Sequence, residues 1–386
     1  MQPPLDFSRN VVCMLGLPFD AVTLQEAVDR VRMAAQQRTP FLVSTANLNF
    51  AVAAGVDESF RNSVVHSQLC LADGMPIVWV SRLLGLPVRE RVSGADLFEA
   101  LCRAAKPAVK VFFFGGPGGV AQAACEQVNR RQGGVECVGF ESPGFVSVEA
   151  MSSDDFIGRI NRAAPDFVVV SLGAKKGQAW IERNRARLHA PVISHLGAVV
   201  NFAAGTVRRA PPWLQRAGLE WLWRVKEEPG LWRRYARDAV AFTRMFAGDV
   251  LPLWWQRIRM GCRHASTPPT IASDAGASGI ELRLNGVFDR RHVDVLRTTF
   301  AAAAAAAVDV RVDLSGVDHL DAAGMALFLL LSAHQRDGGK RFELHRASPR
   351  LQRQFRYHHA EALLTDSPQD DQRSAGKLPP GQLPKI

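Results

Sequence analysis

Several small groups of polar residues in this 386-residue chain directly follow short apolar runs, and their types suit a sugar or phosphate substrate. Asp73 lies in LCLADGMPIVW, between an apolar run and a helical pattern. A carboxylate there can cap the helix N-terminus, or it can act as a general base that takes a proton from a hydroxyl. Thr45 and Asn47, in STANLNF, are suited to a turn and a cap; beside Asp73 they could instead hydrogen-bond a sugar or nucleotide. In FFFGGPGGVA, Gly115 and Gly116 open a glycine-rich turn. Such a turn serves equally as a tight strand-to-helix connection or as a loop whose N–H groups approach phosphate. It lacks the GxGxxG spacing of a nicotinamide site. Lys175, Lys176 and Gln178 follow a further apolar run.

A departing diphosphate needs positive charge nearby. The chain has no Asp-x-Asp pair and no clustered His, Cys and Asp, so carboxylate chelation of a metal is not expected. Arginines would take that role. The candidates are Arg91, Arg209, Arg224, Arg233 and Arg234, although any one of them alone could be a solvated surface charge. Four of these lie in one unusual block. Between Gly205 and Arg263 stand six of the eight Trp, and from Arg208 to Arg263 twelve Lys or Arg face five Asp or Glu. Trp beside Arg suits a boundary between an apolar phase and phosphates. Trp254 and Trp255 are the candidate membrane contacts.

The elements that must position these residues can be read from the apolar runs. Val11–Leu15, Phe41–Ser44 and Leu69–Ala72 read as short strands, and Val111–Phe114, Phe167–Leu172 and Val192–His195 read as buried parallel strands. Thr23 and Glu26 make a capping box for a helix from about Leu24, and Ser93 with Asp96 opens another. Repeated strand–helix units predict an α/β fold: an open, Rossmann-like, mostly parallel sheet with a helical, basic, Trp-rich appendage at about 205–261. Ligands of such sheets bind beyond the carboxyl ends of the strands, so the polar groups above would share one crevice.

From 262 to 279 the sequence is rich in Ser, Ala, Pro and Gly and reads as a flexible linker. A smaller α/β domain follows over 280–364, and 365–386 reads as a disordered tail. With 47% hydrophobic and 22% charged residues the chain has a soluble, globular composition. Its net charge of +10 suggests an anionic partner. Nucleic acid is the weakest such partner, because no zinc-finger or basic-zipper pattern is present. The six scattered Cys read as buried reduced thiols. No signal peptide and no run long enough to span a bilayer is evident, so a cytoplasmic protein at the inner membrane face is expected.

Residues from about Val11 to Phe246 resemble the bacterial WecB/TagA/CpsF glycosyltransferases. The resemblance rests on TANLNF, LADGMPIVW, ERVSGADL, FFFGGPGG, VVSLGAKKGQAWI, NFAAGTVRRAPPW, GLEWLWR and WRRY, in that order. It implies an inverting, metal-independent transfer of a hexose or N-acetylhexosamine, such as N-acetylmannosamine, from a UDP-sugar to a polyprenyl-diphosphate-linked saccharide. No cofactor beyond the donor is implied. Asp73 would be the base, Thr45, Asn47 and Arg91 would bind sugar and nucleotide, and Arg224, Arg233 and Arg234 would face diphosphates. Three positions depart from the family pattern. Gly177 stands where Gln is usual and Gln178 where Glu is usual, Asn201 replaces a common Asp, and the stretch after Pro229 has lost one basic residue.

The second domain resembles the STAS domain of anti-sigma factor antagonists and sulfate transporters, on VRVDLSGVDHLDAAGMALFLLL. Phospho-regulated members carry a Ser at the position of Ala323 or Ala322, so that switch is not expected, while docking of a protein partner remains open. The alternative to an enzyme is a catalytically impaired nucleotide- or lipid-binding protein that signals through this domain.

Overall fold

The computed structural model describes residues 5–261, 268–276 and 279–364. The chain begins with a hairpin, β1 Val11–Met14 and β2 Leu17–Asp20, followed by α1 Leu24–Gln37 and β3 Phe41–Ala46. Then come α2 Leu48–Ala54, α3 Glu58–Val65, β4 Leu69–Ala72, α4 Met75–Leu83, α5 Gly94–Arg103 and β5 Val109–Gly115. α6 Val120–Arg131, β6 Val135–Glu141, α7 Asp154–Arg162, β7 Phe167–Ser171, α8 Ala174–Asn184, β8 Val192–His195 and α9 Val199–Ala204 complete the first α/β unit. The appendage holds α10 Pro212–Arg216, α11 Glu220–Glu227, α12 Trp232–Met245 and α13 Leu251–Gly261. The smaller unit contains β9 Thr270–Gly276, β10 Gly279–Phe288, α14 Val293–Ala305, β11 Val310–Leu320, α15 Ala322–Asp337, β12 Phe342–His345 and α16 Pro349–Tyr357.

The main sheet is parallel, in the order β4-β3-β8-β7-β5-β6. Its central strands carry apolar residues on both faces because helices cover both, as a parallel sheet requires. Helices α1, α5, α6 and α9 share one core layer. On the opposite face α7 and α8 pack around Trp180, whose ring stacks on Phe114 at 4.2 Å. The capping box of α1 is present: the Glu26 carboxylate accepts from Thr23 N–H at 2.7 Å.

Three expectations are corrected here. Val11–Leu15 does hold a strand, β1, but that strand lies outside the main parallel sheet. It pairs antiparallel with Leu17–Asp20, a segment with no earlier strand assignment. Every residue of both strands is buried, and such an apolar ribbon cannot face water. Its cover comes from the smaller domain, whose α15 packs across it in one continuous core. α15 is accordingly buried on nearly every side.

The second correction concerns the stretch 262–279. Its residues 270–276 form β9, which pairs antiparallel with β10 and completes a β12-β11-β10-β9 sheet. Residues 262–267 and the tail 365–386 lie outside the described residues. Third, Cys125 and Cys137 are joined as a disulfide between α6 and β6, while Cys13, Cys70 and Cys102 are free and buried.

The two α/β units also meet through polar contacts. His66 Nε2 lies 3.2 Å from Asp337, Arg61 donates to the His359 carbonyl at 3.1 Å, and Arg297 donates to the Arg9 carbonyl at 3.1 Å. His359 and Asp249 pair at 3.0 Å. The smaller unit is thus docked on the first along the hairpin.

Candidate functional site

The helices that follow β3 and β8 leave on opposite faces of the sheet: α9 belongs to the layer of α1, α5 and α6, while α2 packs with α3 on the other side. β3 and β8 are neighbours, so a crevice opens between their carboxyl ends. Thr45 and Asn47 follow from β3, Asp73 from the adjacent β4, and His195 ends β8.

Asp73 is not a helix cap. The N-cap of α4 is Gly74, at φ 148°, which makes no side-chain cap. No hydrogen bond or ion pair engages the Asp73 carboxylate among the described residues. Burial pushes its pKa up to about 6; Arg91 and Arg224 pull it down while Glu220 and Asp96 push it further up. A carboxylate that is desolvated yet unpaired keeps its lone pairs free, as a general base must.

Around it lies a network of charges. Arg91 donates from Nη1 to Glu220 at 2.6 Å and from Nη2 to Asp96 at 2.9 Å. Arg209 donates to the other Asp96 oxygen at 2.6 Å. Asp96 also accepts from Ser93 Oγ at 2.6 Å. Burial would raise the Asp96 pKa, but these donors hold it below the usual carboxylate range. Arg224 reaches Asp73 electrostatically, and among the described residues its buried Nε has no hydrogen-bond partner. The appendage therefore supplies Arg209, Glu220 and Arg224 to the mouth of the crevice.

Other expected residues fall into place with specific roles. Thr45 is buried, its Oγ1 3.4 Å from where a Cβ on Gly94 would stand. Asn47 caps α2 by accepting from Phe50 N–H at 3.2 Å, which leaves its amide NH2 free. Gly115 and Gly116 have φ of 102° and 87°, and the Gly116 N–H donates to the Ser171 carbonyl at 2.8 Å. The tight-turn reading holds for that pair; Gly118 and Gly119 leave open space before α6.

Several expected residues lie elsewhere. Gln178 is buried against the sheet, where it donates to Ser44 Oγ at 3.2 Å. Lys175 pairs with Asp57 at 3.1 Å, and Lys176 donates to the Val146 carbonyl at 2.7 Å. Arg233 is exposed and lies 5.7 Å from the Trp232 ring centroid. Arg234 lies over Tyr235 and beside Asp238, on the side where Asn49 of α2 donates to Asp238 at 3.1 Å. Trp254 turns inward and packs on the main core, so only Trp255 of that pair is outward, with Arg259 5.0 Å from its ring.

Sequence reasoning missed Glu220, although it lies within the quoted GLEWLWR. It read Asp96 only as a helix start and did not single out His195. Their signal was present only as residue type; the Arg91–Glu220 and Arg209–Asp96 partners lie more than a hundred residues apart, and His195 meets Leu172 and Gly177 only through the fold. Among the described residues no group of three or more His, Cys, Asp or Glu is placed to hold a metal ion. No helix among them is long and apolar enough to cross a membrane.

An unpaired carboxylate with Arg91 and Arg224 near it, beyond the carboxyl ends of a parallel sheet, has the chemistry of a group-transfer enzyme of α/β architecture. More particularly, residues 12–258 match the glycosyl transferase WecG/TagA/CpsF family, and the chain belongs to it. Residues 271–365 match the Mlab, STAS domain.

Curated relatives include the N-acetylglucosaminyldiphosphoundecaprenol N-acetyl-beta-D-mannosaminyltransferase of Bacillus spizizenii, 32% identical over 200 residues, which cover 52% of this chain and 76% of the relative. The enzyme of the same name from Bacillus subtilis is 29% identical over 199 residues, 51% and 76% of the two chains. That from Staphylococcus aureus strain MW2 is 24% identical over 229 residues, 58% and 87%. The protein is a glycosyltransferase fused to a STAS domain.

Proposed function

We propose that this enzyme transfers a hexose or N-acetylhexosamine from a UDP-sugar to a polyprenyl-diphosphate-linked saccharide, with inversion and without a metal. Asp73 takes the proton of the acceptor hydroxyl, the acceptor oxygen bonds to the anomeric carbon, and UDP leaves with the bonding electron pair. Arg224, together with Arg91 once it is released from Glu220, balances the diphosphate charge. N-acetylmannosamine is the first sugar to test, because the relatives' names specify its transfer to a diphosphoundecaprenol-linked acceptor.

The observation that carries this reading is the unpaired Asp73 carboxyl, whose pKa burial pushes up to about 6 although Arg91 and Arg224 pull it down. The lipid-linked acceptor brings the enzyme to the inner face of the cell membrane, where cell-envelope or exopolysaccharide precursors are built. Exposed Trp213, Trp221, Leu222 and Trp232 on the appendage support that placement. UDP release from a panel of UDP-sugars, with a prenyl-diphosphate-sugar acceptor, tests the reading. No release from any donor overturns it, and full turnover by Asp73→Ala overturns the base assignment. Donor binding without turnover selects the impaired, signalling alternative, which the engagement of Lys175 and Lys176 elsewhere favours.

A further inference from the structure

Position 177 on α8 is Gly, and the space beside it is filled from another strand. A Cβ built on Gly177 would lie 2.2 Å from His195 Cδ2, well inside contact distance. A Cβ on Gly197 would lie 3.3 Å from His195 Cε1. The imidazole thus occupies a slot between two glycines, with the Phe50 ring 6.0 Å away on a third side. A side chain at 177 and the His195 ring exclude each other.

The slot also fixes the chemistry of the ring. His195 Nε2 lies 2.6 Å from the Leu172 carbonyl, which can only accept, so Nε2 carries the proton. Burial lowers the imidazole pKa, only partly offset by the Leu172 carbonyl, so the ring is neutral near pH 7. Nδ1 is then purely an acceptor. Among the described residues it has no hydrogen-bond partner, and it is not one of the fully sealed, unpartnered nitrogens. It belongs to the last residue of β8, beside β3 at the crevice.

We propose that His195 is a specificity-determining residue for the nucleotide-sugar, its Nδ1 accepting a hydrogen bond from a hydroxyl or N–H of the donor. This rests on the transferase reading above. The neutral imidazole offers an acceptor and no donor at Nδ1, so the choice among sugars differing in one hydroxyl or acetamido group turns on it.

The test uses the full chain with the UDP-sugar panel, reading kcat, KM and donor binding by calorimetry. His195→Phe fills the slot without an acceptor; it raises donor KM and Kd about tenfold, with the melting temperature near parental. His195→Asn, with an amide oxygen near the Nδ1 position, retains most of the affinity. Gly177→Ala displaces the ring and weakens donor binding as His195→Phe does, while Gly177→Gln combined with His195→Gly restores binding with a changed donor ranking.

Parental affinity and donor ranking in His195→Phe overturn the proposal. So does an equal loss in the Phe and Asn variants accompanied by lower melting temperatures, which marks the ring as packing alone. Parent protein that binds no UDP-sugar overturns both readings, whereas binding without turnover overturns only the transferase.

Discussion

Arg91 Nη1 lies 2.6 Å from Glu220 Oε2, so the loop before α5 is tied directly to the first turn of α11 in the appendage. The pair is mostly buried and sits beside the free Asp73 carboxyl, whose pKa both of them affect. An anionic diphosphate entering the crevice competes with Glu220 for the same guanidinium. The appendage is thereby coupled to occupancy of the site through one ion pair.

The first prediction concerns pH. Asp73 must be ionised to act as base, so kcat/KM rises with pH through an acid limb near 6. Glu220 raises that pKa, so Glu220→Gln moves the limb to lower pH. Asp73→Asn lowers turnover by about 10²- to 10⁴-fold. A pH–rate series on the three proteins checks this, and an unmoved limb in Glu220→Gln removes Glu220 from the site.

Asp96 accepts from Arg91, Arg209 and Ser93 at once. Removing it leaves two half-buried guanidinium groups without that partner. Asp96→Ala is expected to cost about 1–3 kcal/mol of stability and to loosen the 205–227 segment. Denaturant unfolding, with proteolysis of that segment, measures both.

The hairpin predicts that the smaller domain cannot simply be removed. Phe19 is fully buried in the core shared with α15, and Phe19→Ala should cost about 3–5 kcal/mol. A chain lacking 270–364 exposes Val11–Asp20 and is expected to aggregate; a soluble, active truncation would show that the domain is dispensable.

His66 stands between Glu182 at 3.8 Å on α8 and Asp337 at 3.2 Å on α15. Burial alone would lower its pKa, but these carboxylates raise it above 6.5. The sign follows: its stabilisation is fully present below 6.5 and is lost as pH rises through the elevated folded value. The melting-temperature gap between the parent and His66→Gln should therefore be largest in mild acid and close as pH rises. Arg185 also pairs with Glu182 at 3.0 Å and persists throughout.

On the appendage, Trp213 is 66% and Trp232 55% exposed, with Arg233 and Lys226 beside neighbouring rings. Trp213→Ser with Trp232→Ser should weaken sedimentation with anionic vesicles, and added salt should weaken it further. Trp254→Ser should instead lower stability, since that half-buried ring packs against the core.

Much of the fold was legible in the sequence because local physics states it. Apolar runs of parallel strands, the Thr23–Glu26 capping box and the turn glycines mark strands and helix starts without reference to distant residues. The ordering of polar residues after strands likewise set Thr45, Asn47 and Asp73 at the ends of the adjacent β3 and β4, whereas Lys175, Lys176 and Gln178, ordered the same way, are engaged elsewhere. Residue pairing was not legible in the same way. Nothing local in Glu220 points to Arg91, in Gly177 to His195, or in Val11–Met14 to α15; only the folded chain brings together segments separated by up to three hundred residues. The same holds for β9, whose Ser, Ala and Gly read as linker until β10 supplied a partner for its backbone N–H and C=O groups. Sequence by itself determined which residues could do chemistry and which elements carry them. Tertiary structure decided which charges are neutralised, which are left free, and which slots are already filled, because desolvation and contact depend on what the rest of the chain places nearby.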